Sequence, residues 1–227
     1  MMGKAFAASL ALAVVSLSFG APAAIAAGEI GDVQRIKFWA YGTLPEAARQ
    51  TLYRKDDVFA DEVVETLENG ALHLRFLDDS KLRLGSASSV KLDRFVYNPD
   101  TRAGEMVLDL GEGVFRFITG KLDKRGIQLR TPVALIGIRG TDLIVRVAAD
   151  GTTTVYMFRG SSVVTALRGG RSAGLGMAMG VTVDPTGKVT EGVGPPEYDV
   201  GLADNAGGPP TRDGGGGEQI GRSDRPR

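Results

Sequence analysis

Short runs in which apolar and polar residues alternate dominate the chain between residues 58 and 164. The clearest examples are the segments 72–76, 82–84 and 90–92, where every second residue is apolar. A period of two is typical of strands that bury one face and expose the other. Turn-forming residues separate the runs about every ten residues, and Asp150-Gly151 between two apolar runs predicts a tight hairpin. The pattern predicts an all-β domain of short, mostly antiparallel strands, arranged as a β-roll, a solenoid-like stack or a sandwich.

The residues ahead of the alternating region contain the one segment with a helical composition. Residues 44–53 place a proline ahead of a pair of alanines, which favours the first turns of a helix. A helix of this length is marginal without tertiary support, so either a short helix or an exposed loop is expected. Weak alternation over residues 28–38 predicts a strand before it. We therefore divide the chain into an N-terminal part, residues 27–57, and a β domain, residues 58–189.

The first 26 residues have the layout of a secretory signal peptide. Lys4 supplies the positive start, residues 5–19 are apolar, and Ala24-Ile25-Ala26 fits the small-residue cleavage rule. A retained membrane anchor is the alternative, but Gly20 and Pro22 interrupt the apolar run early. We expect residues 1–26 to be removed and the mature chain, which has no other membrane span, to be periplasmic or secreted.

The C-terminal residues 190–227 are rich in glycine, proline and polar side chains. Such a composition cannot bury enough apolar area to offset the entropy of ordering the chain. A disordered tail is therefore predicted.

Composition narrows the classes of function. The chain has no cysteine, so it has neither disulfides nor thiol chemistry. It has 27 basic and 27 acidic residues, and removing Lys4 with the signal leaves 26 minus 27, a net charge of −1. This balance gives no electrostatic reason to expect nucleic acid or an anionic membrane as the partner.

Neither a cofactor nor a catalytic centre is indicated by the residues. His73 is the only histidine, and a lone strand histidine without a second ligand argues against zinc. The paired acids, such as Asp78-Asp79, do not follow a calcium-loop pattern and suit turns. We therefore predict that the protein is not an enzyme and binds no cofactor. A carboxylate-based hydrolase is the minor alternative, because the chain contains many acidic residues.

The segment 131–142, T-P-V-A-L-I-G-I-R-G-T-D, is the most distinctive in the chain. Its spaced glycines, Gly137 and Gly140, could suggest a phosphate loop. A Walker loop needs a following lysine with serine or threonine, and a dinucleotide site needs a strand–turn–helix unit, whereas strand patterning continues on both sides here. We interpret the glycines as positions where a strand bulges, bends or approaches another backbone closely. Pro132 suits the entry of a strand.

Arg139 lies inside this apolar segment and must keep its guanidinium hydrated or bonded. The interpretation we prefer is that it bonds turn carbonyls or an acid such as Asp142 and locks the loop. The alternative is that it faces a carboxylate or phosphate of a partner.

These residues resemble the FecR-domain family. Residues 131–143 and the following T-V-Y-M-F-R-G at 154–160 are similar to that family's T-P-x-A-x-x-G-[VI]-R-G-T-x-F segment and its next strand. Residues 70–85 are similar to the family's G-x-x-x-L-x-F-x-D-G-S-x-L-x-L-G segment. Leu143 stands where phenylalanine is usual, and Asp79 replaces the glycine of the upstream turn. The motif residues, interpreted as structural, are Thr131, Pro132, Gly137, Arg139, Gly140, Thr141, Asp142, Asp150, Gly151 and Gly160.

The resemblance implies an all-β, non-catalytic module of the bacterial cell envelope that binds another protein. Named members of the family carry a cytoplasmic anti-sigma segment and a membrane helix before this domain. Here a signal peptide is predicted at that place, so a stand-alone exported interaction or sensory module is expected. A carbohydrate- or cell-wall-binding module is the alternative, because β scaffolds often carry such sites on surface loops.

Overall fold

The computed structural model describes residues 28–195, so the predicted signal peptide and the tail after residue 195 lie outside the described residues. The described chain forms sixteen strands and one short 3₁₀ turn. The strands are β1 Glu29–Lys37, β2 Ala40–Thr43, β3 Gln50–Thr51, β4 Asp57–Phe59, β5 Val63–Thr66, β6 Ala71–Phe76, β7 Lys81–Leu84, β8 Ser89–Tyr97, β9 Gly104–Leu110, β10 Gly113–Ile118, β11 Ile127–Arg130, β12 Ala134–Val147, β13 Thr153–Ala166, β14 Ser172–Leu175, β15 Gly180–Val183 and β16 Val189–Glu191. The 3₁₀ turn is Lys124–Gly126.

All the strands belong to one 16-stranded curled sheet, which confirms the all-β prediction. The main path runs β3-β2-β5-β8-β9-β11-β12-β10-β7-β6-β1-β4. Strand β12 is the branch point: its first half pairs with β11, its second half with β10, and β13 follows its other edge. β13 also pairs with β14 and β15, and β15 pairs with β16. Among the described strand pairs, only β9 with β11 is parallel.

The β12–β13 hairpin closes at Asp150-Gly151, as the sequence predicts. Gly151 has φ +86° and its N–H donates to Ala148 O at 2.8 Å. Asp150 accepts from the Thr152 backbone at 2.8 Å and from the Thr152 hydroxyl at 2.9 Å. The aspartate therefore fixes the turn, while glycine supplies the left-handed conformation.

One hydrophobic core fills the concave side of the sheet and follows the predicted alternation. In β6, Leu72, Leu74 and Phe76 are at most 1% exposed, while Arg75 between them is exposed. The largest fully buried side chains are Phe76, Phe115, Phe117, Ile36, Leu72, Leu74, Leu82, Leu84, Leu92, Met106, Leu108 and Leu122. Their burial is the main favourable contribution to folding, because the described chain has no disulfide.

No helix forms over residues 44–53, and the loop alternative is the one observed. Ala47 N donates to Leu44 O at 3.1 Å, which makes a single turn. Glu46 then takes φ +58°, a conformation that a right-handed helix cannot contain. Gln50 and Thr51 instead form β3 against β2.

Two predicted boundaries differ from the observed sheet. The N-terminal part is continuous with the β domain, since β1 pairs with β6 and β4. The boundary placed after residue 189 falls inside β16, which pairs with β15 through Thr190 and Glu191. Backbone pairing, which composition does not reveal, extends the sheet in both directions.

Within residues 28–195 the structure contains no helix of the length and apolar character needed to cross a membrane.

Candidate functional site

A glycine pair distorts the middle of the β12–β13 hairpin. Gly140 has φ +77° and Gly160 has φ +90°, and the register between the strands shifts between Ile138 and Thr141. A Cβ placed on Gly160 would lie 1.7 Å from Gly140 O, so the two backbones approach where no side chain fits. The site is a β-bulge that needs glycine on both strands.

Gly137 does not share this role. It has an ordinary strand conformation, and an added Cβ would meet only Val163 O, at 3.9 Å. The expectation that Gly137 permits a bend or a close backbone approach is therefore wrong, and nothing in the fold requires glycine there.

Thr131 and Pro132 form the turn that leads into β12. The Thr131 hydroxyl is buried, accepts from Ala134 N at 3.0 Å and accepts from the Thr153 hydroxyl at 2.9 Å. Pro132 is exposed immediately before the strand, where its missing N–H has no cost. The threonine thus joins the start of β12 to the start of β13.

Asp142 pairs with Arg116 and not with Arg139. Arg116 Nε and Nη2 on β10 donate to the two Asp142 oxygens at 2.9 Å each, a bidentate pair with Asp142 only 6% exposed at its side chain. Arg159 Nη2 approaches the same carboxylate at 3.7 Å. The neighbouring Thr141 N–H donates to the Thr119 hydroxyl at 2.9 Å. The acid locks β10 to β12, so the preferred interpretation of Arg139 is wrong.

Arg139 is exposed on the convex side of β12 and has no hydrogen bond or ion pair to any residue in the described range. The reason is positional: Asp142 lies beyond the bulge and is already held by Arg116. An arginine without a structural partner remains available to a ligand.

Two adjoining concavities lie at the open end of the β12–β13 hairpin, where β12 begins and β13 ends. Both are lined by Pro132 and Leu167. One, of about 210 Å³, continues over Val133, Arg168, Asp184, Pro185 and Gly187. The other, of about 480 Å³, continues over Val63, Ser89, Lys91, Asp109, Leu110, Gly111, Arg130 and Thr131. Leu167 is 59% exposed at their junction. We call the two together the Leu167 groove.

A chain of ion pairs borders the larger concavity. Lys91 Nζ lies 2.8 Å from Asp61 Oδ1 and 2.9 Å from Asp93 Oδ1, and these bonds raise the pKa of Lys91. Arg130 bridges Asp93 and Asp109, with Nε 2.6 Å from Asp109 Oδ1. The bond from Lys91 lowers the pKa of Asp93. The charged side chains at this border are therefore engaged in ion pairs with one another.

The upstream motif residues Asp78 and Ser80 form a fully buried polar latch. Asp78 Oδ1 accepts from Ser80 N at 3.1 Å, and Oδ2 accepts from the Ser80 hydroxyl at 2.6 Å and from Leu122 N at 3.2 Å. Gly120 N donates to the Ser80 hydroxyl at 2.8 Å. The latch ties the β6–β7 turn to the segment after β10, which explains both residues structurally.

His73 is half-buried on β6, and its environment keeps it neutral. Burial, followed by the positive charges of Arg83, Arg35 and Lys81, lowers the pKa of His73 to about 3. No group of three or more His, Cys, Asp or Glu side chains is placed to hold a metal ion in the part of the chain that the structure describes.

The fold defines a class: an all-β domain on one branched sheet with a long central hairpin. Residues 62–162 match the family model described as FecR protein, which confirms the resemblance found in the motifs. The chain therefore contains a FecR domain.

Similar solved structures include two crystal structures of a proposed anti-sigma factor from Parabacteroides distasonis ATCC 8503, at 2.50 Å and 1.65 Å resolution. Their identities to this chain are 13% and 14%, and the TM-scores are 0.48 and 0.47. The alignments cover 59% of this chain and 60% of each of those chains. The comparison with curated proteins gave no match.

The structure brings the predicted motif residues into two places. Gly140, Thr141, Asp142 and Gly160 meet at the bulge. Thr131 and Pro132, which precede β12, instead contact Thr153 and Gly151 beside the closing turn Asp150-Gly151. Sequence reasoning missed Arg116, Lys124 and Leu167. Leu167 carried a signal, since an apolar residue precedes the turn Arg168-Gly169-Gly170, but the contacts of Arg116 and Lys124 depend on long-range pairing.

Proposed function

We propose that this protein is an exported, non-catalytic FecR-like interaction module of the bacterial cell envelope, and that the Leu167 groove binds a segment of another envelope protein. The observation that carries the proposal is the exposure of Leu167, 59%, at the junction of two concavities that adjoin the FecR-domain hairpin. At this position Leu167 can provide an apolar contact to a segment that lies in the concavities.

The non-catalytic role is supported by how the acids are used. Asp61, Asp93 and Asp109 neutralise Lys91 and Arg130 at the edge of the groove. Asp184, in the smaller concavity, accepts from Thr186 N at 2.9 Å and from Lys188 N at 3.0 Å, and these bonds stabilise its own turn. Side chains committed to such pairs suit a rigid binding surface better than proton transfer.

Export is supported by the N-terminal sequence. The protein recovered from the periplasm or the medium of an expressing bacterium is expected to begin at Ala27 or Gly28. Mass spectrometry of the intact protein measures this directly. Recovery of an exported chain that retains Lys4 would contradict signal cleavage.

Leu167→Asp is expected to reduce capture of the envelope partner at least about tenfold, because a charge would replace a central apolar contact. The measurement is quantitative mass spectrometry of proteins retained from an envelope extract by the immobilised mature protein. Leu77→Asp is the matched control, since Leu77 is also exposed, at 54%, and lies in the β6–β7 turn away from the groove.

Both variants should melt like the parent protein, which separates loss of binding from loss of fold. Undiminished capture by Leu167→Asp would contradict the proposed groove. Retention of the parent protein on purified peptidoglycan or polysaccharide, lost in Leu167→Asp, would favour the cell-wall-binding alternative.

A further inference from the structure

We propose that Lys124, Arg139 and Arg159, which surround the β-bulge, bind carboxylate groups of an acidic segment of a partner protein. We call these three side chains the bulge cations. The inference rests on the proposed function because the ligand belongs to a protein, but it concerns a surface separate from the Leu167 groove.

Arg139 is the first of the bulge cations. It lies on the exposed side of β12 between the buried Ile138 and the bulge residue Gly140. No acid within residues 28–195 pairs with it. A strand that positions a guanidinium in this way provides several N–H donors in the fork geometry that matches a carboxylate.

Lys124 is brought to the same place by the missing side chain of Gly140. An ideal Cβ on Gly140 would lie 2.7 Å from both Cε and Nζ of Lys124, so the lysine occupies the space that glycine leaves open. The lysine belongs to the 3₁₀ turn and forms no ion pair with another residue of the described chain. Its ammonium group therefore adds a second unpaired charge next to Arg139.

Arg159 supplies the third charge. Its side chain is 76% exposed, and its Nη2 lies 3.7 Å from an oxygen of Asp142 that Arg116 already binds at 2.9 Å. One carboxylate thus faces two guanidinium groups, which leaves an excess of one positive charge beside the bulge. Together with Lys124 and Arg139, the local excess is positive.

The neighbouring sheet surface can accommodate an extended chain. On the same face as Arg139, Gly137 and Gly174 lie on either side of Val163 in the strand register. An added Cβ on Gly174 would meet nothing within 4 Å, and Val163 is 36% exposed. Gly137, Val163 and Gly174 thus form a strip without large side chains. Apolar side chains of the bound segment, next to its carboxylates, would pack on this strip.

The distribution of charge favours an acidic protein segment over a polyanion. The whole chain has formal net charge 0, and the bulge cations form a small group, so the long-range field needed to gather nucleic acid is missing. Single carboxylates spaced along a peptide are complementary to three cations beside an apolar strip.

The test uses two synthetic peptides, one of alternating valine and glutamate and one with glutamine in place of glutamate. Titrated into ¹⁵N-labelled mature protein, the glutamate peptide is expected to shift the backbone NMR signals of Lys124, Arg139, Arg159 and Val163, and the glutamine peptide is not. The affinity should fall as salt is raised. The double variant Lys124→Gln/Arg139→Gln should bind the glutamate peptide at least about fivefold more weakly than the parent protein does. Its melting temperature should be unchanged.

Arg54→Gln is the control, since Arg54, between β3 and β4, is another exposed arginine without an ion pair among the described residues, and this variant should bind as the parent does. Equal binding of the two peptides, or full binding by the double variant, would overturn the inference. Tighter binding of inorganic phosphate than of the glutamate peptide would overturn it as well. Partner capture that depends on Leu167 but not on the bulge cations would refute this inference and leave the proposed function standing.

Discussion

Replacing Gly160 with alanine is expected to lower the free energy of unfolding by about 3 kcal/mol. The left-handed conformation, φ +90°, costs an alanine about 1–2 kcal/mol. The new Cβ would also lie 1.7 Å from Gly140 O, a backbone atom that cannot rotate away, and such overpacking costs about 1–3 kcal/mol. The measurement is urea unfolding followed by circular dichroism, with Gly160→Ala compared against the parent protein.

Two other glycines of the same hairpin provide the controls. Gly140→Ala should cost about 1–2 kcal/mol, because its φ is +77° but the atoms in the way belong to the flexible end of Lys124. Gly137→Ala should be neutral or slightly stabilising, since its conformation is ordinary and the space is open. Equal effects at all three positions would refute the assignment of the bulge to Gly140 and Gly160.

The local architecture could be predicted where the deciding interactions are local. Alternation located β6, β7 and β8, and the dipeptide Asp150-Gly151 located the closed end of the hairpin. In both cases the residues that form the pattern also form the contacts. At residues 44–53 the local signal left a short helix and a loop open, and the structure shows the loop, with Glu46 in a conformation of positive φ that a helix does not contain.

The bulge could be anticipated only in part, because its partners are distant in sequence. Glycine at 140 and at 160 was visible, but their approach depends on the register of β12 against β13. The sequence favours bonding of Arg139 to turn carbonyls or to an acid such as Asp142, three residues away, whereas the partner of Asp142 is Arg116 on β10. Sequence alone could not decide this pairing, since it follows from which strands lie next to one another.

The two proposed binding surfaces are the least predictable part, because they are made of residues that the fold does not use. Arg139 is conspicuous in the sequence as an arginine inside an apolar segment, but only the structure shows that Arg139 and Lys124 lack ion-pair partners within the described chain. Likewise, only the structure shows that Leu167 is exposed. The adjacent acids Asp78 and Asp79 also differ in a way that the sequence does not show. Asp78 is buried and Asp79 is exposed, so two neighbouring residues of the same charge have different structural roles.

Asp79 illustrates this separation. It takes φ +63°, which explains why glycine suits this position of the motif, and its side chain forms a surface pair with Lys121 at 2.6 Å. Asp79→Gly is therefore expected to leave the melting temperature close to that of the parent, because relief of the strain of the left-handed conformation opposes the loss of an exposed ion pair. This variant is the control for the buried aspartate next to it.

Asp78→Ala is expected to lower the free energy of unfolding by about 3–5 kcal/mol. The substitution removes the acceptor of three buried donors, namely Ser80 N–H, the Ser80 hydroxyl and Leu122 N–H, and each unsatisfied donor costs about 1–3 kcal/mol. Such a loss is a large share of the stability of a domain, about 5–15 kcal/mol in total. Thermal and urea unfolding measure it, with Asp79→Gly alongside. A loss below about 1 kcal/mol would show that water or a shift of the Leu122 segment replaces the carboxylate, and that Asp78 is not what joins the β6–β7 turn to the end of β10.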